Sequence, residues 1–271
     1  MSAAYEQLAV DALEQIGATT ARAQLDQVAQ QAAAKGWSYS HFLGRLLEPE
    51  IAARRQRVID TTLRFAGLPA VKRLSDFDFS FQPSIDKTLI EELATGRFIL
   101  EGRNVIFQGP PGVGKTHLAT ALGLVCAEMG YRLLFITALE LARRMNSAFS
   151  QNRLPHYMKM LTQPRLLIID EVGYLGLDPH QASLLFQVIC SRYEKQGAII
   201  VTSNKAFSEW GHVFAGDAVM ASAALDRLLH RATVINIKGD SYRLKEKRQA
   251  GLFPGSVALD SHKGGAQTKS K

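Results

Sequence analysis

The hydrophobic positions of this chain change period once, near residue 100. Before that point apolar residues return in steps of three and four: Ala9, Ala12, Leu13 and Ile16, then Leu25, Val28, Ala29 and Ala32, then Leu43, Leu46, Leu47 and Ile51. Such steps line side chains along one face of a helix. They predict three helices over residues 1–66, the second opening at Thr19 or Thr20 and the third at Ser38 or Ser40, where a hydroxyl can accept from a helix-start N–H. Beyond residue 100, short β-branched runs take over at 104–108, 133–137, 166–170, 198–203 and 233–237, with helix-length spacers between most of them. Strand–helix alternation of this kind builds a parallel sheet covered by helices on both faces. The expected fold is α/β: a core domain at 84–253, a helical domain at 1–66 and a linker at 67–83. Residues 254–271, rich in Gly, Ser and Lys, are expected to be disordered.

The strand ends carry the chemistry. The first runs into Gly109, Pro110, Pro111, Gly112, Val113, Gly114, Lys115 and Thr116, a full match to the phosphate-binding loop, and a helix is expected directly after it. Glycines let backbone N–H groups turn inward around phosphates, and the helix N-terminus adds favourable partial charge. Lys115 is expected on the β- and γ-phosphates and Thr116 on Mg²⁺, with His117 completing the nucleotide-binding stretch. A glycine turn that binds nothing would not need this context.

The run at 166–169 ends in Asp170 and Glu171. Four apolar residues bury a strand and deliver two carboxylates to the edge where open α/β sheets bind ligands. Asp170 suits the Mg²⁺ role and Glu171 the polarisation of a water. The next run ends at Asn204, which would lie beside the γ-phosphate if its strand neighbours the loop, and is otherwise a turn-forming Asn. Ahead of the last run stand Arg227 and Arg231, and after it Arg243. An arginine supplied by a neighbouring subunit stabilises phosphoryl transfer; Arg227 is the first choice for that role and Arg231 the second.

Composition narrows the class without naming it. Over 271 residues, 32 Lys and Arg stand against 25 Asp and Glu, a balance that suits a polyanionic partner. Two stretches concentrate that charge. Between positions 40 and 75 seven basic residues meet three acidic ones, a net of +4, and between 131 and 165 Arg132, Arg143, Arg144, Arg153, Lys159 and Arg165 meet only Glu140, a net of +5. The first could touch nucleic acid or be a solvated helix face. Cys126 and Cys190 lack metal-type spacing and read as buried free thiols. No histidine pair has zinc spacing. Glu6, Asp11 and Glu14 interrupt any signal-peptide core, and no run reaches membrane length, so a cytoplasmic protein without a membrane partner is expected.

With these residues assembled, the chain resembles the IstB-type transposition helper proteins of the AAA+ superfamily, relatives of bacterial initiator and helicase-loader ATPases. The resemblance spans about 8–253. It is most specific in GPPGVGKTHLATALGLVCAEMG (109–130), LLIIDEVGYLG (166–176), LLFQVICSRYE (184–194), TSNKAFSEW (202–210) and residues 225–243. It implies an ATPase that uses ATP and Mg²⁺, oligomerises on duplex target DNA, recruits a partner transposase and disassembles on hydrolysis. Preference for ATP over GTP rests on it. By position it makes Asn204 the strand sensor, Arg227 the arginine finger and Arg243 a second sensor. It also marks the insertion at 138–161 as the DNA-facing element, with Arg143, Arg144 and Arg153 as phosphate contacts that read no base. Only 34 residues (271 − 237) follow Ile237, too few for the full helical lid of many AAA+ proteins. The helical domain at 1–66 would meet either the transposase or a neighbouring subunit. A helicase loader would share this core and prefer single strands; a metabolic P-loop kinase would need neither the basic insertion nor the trans arginine.

Overall fold

Three helices open the chain: α1 (Ser2–Gln15), α2 (Thr19–Lys35) and α3 (Tyr39–Ala66). The computed structural model describes residues 2–174, 176–242 and 244. Leu13, Ala18, Ala21, Leu25 and Leu46 form the core among these helices. Ser38 caps α3, its Oγ accepting from His41 N at 3.3 Å. The start of α2 differs from expectation. Ala18 occupies the cap position, and the Thr20 and Ala21 N–H groups instead donate to Glu50 Oε2, at 2.7 and 3.2 Å. A carboxylate from α3 thus does the work of a local hydroxyl, with the helix dipole in its favour. Burial pushes the Glu50 carboxyl up, but hydrogen bonds from Arg54 and from the two N–H groups outweigh it and hold the pKa at about 2.

The apolar faces of these helices are only partly covered. Ile16, Leu43 and Ile51 remain 62%, 52% and 65% exposed. Periodicity says which side chains share a face, not whether anything packs on it. Ile16 follows the last residue of α1, and α1 and α2 leave one side of α3 unopposed. The second half of α3 lies instead on α6 (Lys115–Glu128) and β2 (Leu133–Thr137).

After α4 (Lys87–Leu93) and α5 (Arg97–Leu100) the core runs β1 (Asn104–Gln108), α6, β2, α7 (Ala138–Ser150), α8 (Leu154–Thr162), β3 (Leu166–Val172) and α9 (Pro179–Glu194). It ends with β4 (Ala198–Ser203), α10 (Trp210–Val213), α11 (Ala218–Leu229) and β5 (Ala232–Asn236). All pairings are parallel, in the order β2-β3-β4-β1-β5. Both faces are buried, one under α7, α9 and α11 and the other under α6 and the second half of α3. That explains why the strands read as continuous apolar runs. β1, β2 and β4 match the expected runs, β5 begins one residue early, and β3 is two residues longer than expected. The extra length contains an irregularity: Ile169 pairs with Val201 and Val172 with Ser203, so Asp170 and Glu171 together oppose Thr202. This is a β-bulge, and Glu171 adopts a left-handed φ of 60° within it.

Cys126 and Cys190 are free thiols; burial in α6 pushes Cys126 up to about 12. Among the described residues no helix is long and apolar enough to cross a membrane. Arg243, and the tail at 254–271, lie outside the described residues.

Candidate nucleotide site

In a parallel sheet every strand delivers its C-terminus to the same edge. Here that edge collects Gln108 with the loop behind it, Thr137, the Asp170–Glu171 bulge, and Ser203 followed by Asn204. A cavity of about 470 Å³ opens there, lined by Gly112, Val113, Gly114, Lys115, Thr116, His117, Asp170 and Glu171. The loop glycines carry the backbone conformations that the turn requires. Gly112 has φ 83° and Gly114 φ 100°. A Cβ on Gly114 would also meet the Phe77 ring at 2.6 Å, and one on Gly112 would overlap Ser241. Lys115 Nζ donates to the Gly109 and Pro110 carbonyls, both at 2.7 Å, tying the loop to itself.

Asp170 is 4% exposed, whereas Glu171 is exposed to the cavity. The Thr116 hydroxyl donates to Asp170 Oδ1 and Oδ2, at 3.0 and 3.1 Å. Thr202 Oγ1 donates to Asp170 Oδ1 at 2.5 Å and accepts the Glu171 N–H at 3.0 Å. A hydroxyl and a carboxylate oxygen so close together fit Mg²⁺, which takes few protein oxygens and completes its shell with water and phosphate. Asn204 is half-buried at the tip of β4, and its Oδ1 has no hydrogen-bond partner among the described residues.

One wall of the cavity comes from outside the strand ends. Pro69, Ala70, Lys72, Asp76, Phe77 and Gln82 line it, together with Tyr242. Residues 67–83 therefore wrap the loop. The Phe77 ring meets His117 edge-on at 5.2 Å, and His117 Nε2 lies 2.9 Å from the Arg73 carbonyl, which requires the proton on Nε2. The chain after β5 closes the same wall. Gln82 Nε2 donates to the Asp240 carbonyl at 2.9 Å, and Tyr242 N donates to the Gly112 carbonyl at 3.0 Å. None of these wall residues except His117 stood out in the sequence. The Phe-rich stretch before residue 83 was the available signal, but nothing in it says which way the stretch folds.

Arg227 and Arg231 lie elsewhere. Asn104, the first residue of β1, donates its N–H to the Arg231 carbonyl at 2.7 Å and its Nδ2 to the Leu228 carbonyl at 2.8 Å. That is the opposite edge of the sheet from the phosphate loop, a strand's length or roughly 13 Å away. Neither arginine can reach its own chain's cavity. Arg227 is half-buried, stacked 5.4 Å over the Phe186 ring and donating to the Ala223 carbonyl at 2.8 Å.

The basic insertion forms α7 and α8. Thr137 caps α7 by accepting from Glu140 N at 3.2 Å. Glu140 takes both donors of Arg143, each at 2.8 Å, and the Nε of Arg144. Those hydrogen bonds, that of Arg143 first, hold the Glu140 carboxyl down at about 2. Arg143 and Arg144 remain exposed, as is Arg153 at the start of α8.

A phosphate loop, a buried Asp beside its Thr and a basic two-helix insertion after β2 now stand on one scaffold. The family model described as IstB-like ATP binding protein matches residues 11–250. The chain belongs to that family. It is 48% identical over 229 residues to the insertion sequence IS21 ATP-binding protein of Pseudomonas aeruginosa, covering 84% of this chain and 86% of that one. It is also 48% identical over 221 residues to the IS5376 counterpart of Geobacillus stearothermophilus, covering 82% and 87%. Among solved structures, AMPPCP-bound DnaA from Aquifex aeolicus superposes with a TM-score of 0.53 at 21% identity, over 70% of this chain and 58% of that one. The crystal structure of DnaI gives 0.52 at 21%, over 62% and 91%. At such identity these neighbours establish the AAA+ fold of this IstB-like protein and nothing finer.

Proposed function

We propose that this IstB-like chain is a Mg²⁺-dependent ATPase that assembles on duplex DNA in its ATP-bound form. It then recruits and activates the transposase of the same mobile element and comes apart on hydrolysis. The observation that carries this reading is the convergence of Lys115, Thr116, Asp170 and Glu171 on one cavity. Relatives named for insertion sequences supply the setting. In this reading Lys115 leaves the loop carbonyls for the β- and γ-phosphates, where its charge has stronger partners. Thr116 and Asp170 hold Mg²⁺, which when bound neutralises developing phosphate charge. Glu171 polarises the attacking water and Asn204 orients it. Arg243 senses the same nucleotide. The helices at 1–66 supply partner contacts.

Since Arg227 faces away from its own cavity, it serves the nucleotide of a neighbouring subunit. Arg227→Ala should then leave nucleotide affinity unchanged and lower turnover by about 100-fold once subunits assemble. Equal loss of activity in isolated and assembled chains would remove the trans role. On DNA, Arg143, Arg144 and Arg153 contact phosphates. Arg143→Ala combined with Arg144→Ala should weaken duplex binding and reduce the slope of log affinity against log salt by about 2, one counterion for each lost contact. An unchanged slope would put the DNA surface elsewhere.

The decisive experiment is electron microscopy and sizing of the chain with a non-hydrolysable ATP analogue, with ADP and with neither, on duplex and on single-stranded DNA. Assemblies that need both the analogue and duplex are expected. Assemblies confined to single strands would replace this reading by a helicase loader.

A further inference from the structure

The bulge at the end of β3 re-aims the two acids that leave it, as bulges beside active sites commonly do. Asp170 and Glu171 stand opposite the single residue Thr202, so the ladder between β3 and β4 is interrupted where the two acids emerge. Glu171 is not a glycine, yet its φ is 60°. Left-handed backbone at a residue with a long side chain persists only where the surroundings hold it. Those surroundings have to provide a partner for the Glu171 N–H, which the bulge removes from the ladder.

Thr202 provides that partner. It is 1% exposed. Its Oγ1 accepts the Glu171 N–H at 3.0 Å and stands 2.5 Å from Asp170 Oδ1. A hydroxyl has one proton to give and two lone pairs to receive with. The Glu171 N–H can only donate, so the hydroxyl proton goes to Asp170. One side chain therefore closes the gap in the ladder and fixes both acids relative to β4. Asp170 has a second anchor in the Thr116 hydroxyl, whereas the Glu171 N–H is held by the Thr202 hydroxyl. Ser203 completes the brace, its Oγ donating to the Val172 carbonyl at 2.7 Å on the far side of the bulge.

We infer that Thr202 is the positioning residue that sets where Glu171 points, and so controls the rate of hydrolysis without contributing to nucleotide affinity. The inference rests on the hydrolytic reading given above. Valine matches threonine in shape but offers no hydroxyl, so Thr202→Val takes the acceptor from the Glu171 N–H and leaves Asp170 held by Thr116 alone, while filling the same space. With ATP, Mg²⁺ and duplex DNA, turnover should fall by roughly 10- to 100-fold, the scale set by a displacement of about 1 Å at a reacting group. The Kd of a fluorescent ATP analogue should stay within about threefold. Thr202→Ser keeps the hydroxyl and should restore turnover to within about threefold. A cycle with Glu171→Gln provides the sharpest check, because a residue that acts through Glu171 has nothing left to lose once that carboxylate is gone. The double variant should therefore turn over no more slowly than Glu171→Gln alone.

Native turnover in Thr202→Val would overturn the inference. So would parallel loss of ATP binding and turnover that serine fails to restore, which would mark Thr202 as merely structural. Full additivity with Glu171→Gln would show that it acts on something else. A native chain that binds ATP and never hydrolyses it, with or without DNA, would remove the hydrolytic reading itself and the role of Thr202 with it.

Discussion

Glu171→Gln will bind ATP as the native chain does and hydrolyse it about a thousandfold more slowly, with assemblies on duplex DNA that outlast the native ones many times over. The first half follows from geometry. Glu171 is the exposed member of the acid pair, and among the described residues its side chain makes no hydrogen bond to the phosphate loop, whereas Asp170 is buried and tied to Thr116. Losing a general base of this kind removes on the order of 10²- to 10⁴-fold in rate. Glutamine keeps the shape and the left-handed backbone is unchanged, so the fold should not suffer. The second half follows from the proposed cycle. If contacts to the γ-phosphate hold the assembly together, blocking hydrolysis freezes it in the assembled form. Single-turnover hydrolysis and the dissociation rate from labelled duplex measure the two halves separately. Slow hydrolysis combined with rapid release would detach assembly from the γ-phosphate and require another switch.

How much of this site could be seen in the sequence depended on how local each feature is. Gly109 to Thr116 and the Asp170–Glu171 pair were legible because each sits where an apolar run stops, and one sheet edge collects all such stops. The bulge was not, since its register is a relation between β3 and β4, and nothing in LLIIDE announces that the chain turns left-handed at Glu171. Glu50 escapes for the same reason: the Thr20 N–H that it caps lies 30 residues earlier in the chain, whereas Thr19 and Thr20 stand at the helix start itself. The wall formed by Phe77, Gln82 and Tyr242 joins segments more than 150 residues apart, as the Gln82–Asp240 hydrogen bond records. Periodicity also overstated burial at Leu43 and Ile51, because the amphipathic pattern is identical whether a face meets the core or waits for another surface.

Arg192 shows the same limit from the other side, and its replacement should produce the largest loss of stability in the molecule. In sequence it resembles Arg227: a lone arginine near the end of an apolar helix. In the structure Arg192 is 0% exposed. Its guanidinium donates to the carbonyls of Leu161 at 3.4 Å, Pro164 at 2.6 Å, Arg165 at 3.0 Å and Ala198 at 2.5 Å. One planar fork thus joins the end of α8, the entry to β3 and the entry to β4. Burial pulls its pKa down to about 10, still far above neutrality, so the group stays charged. Arg192→Ala removes the fork, opens a cavity beside Gly197 and leaves several buried carbonyls without partners, each costing about 1–3 kcal/mol. A total near 4 kcal/mol is expected, or roughly 8–16 °C in Tm for a chain of this size. Arg192→Lys should recover little, because an ammonium is a compact point charge and cannot span carbonyls arranged for a fork. Arg227→Ala, by contrast, should melt within about 2 °C of the native chain and fail only in turnover. Thermal melts of the two variants side by side test the assignment: comparable destabilisation would mean that Arg227 is also structural, and the trans role would then need another arginine, with Arg231 next in line.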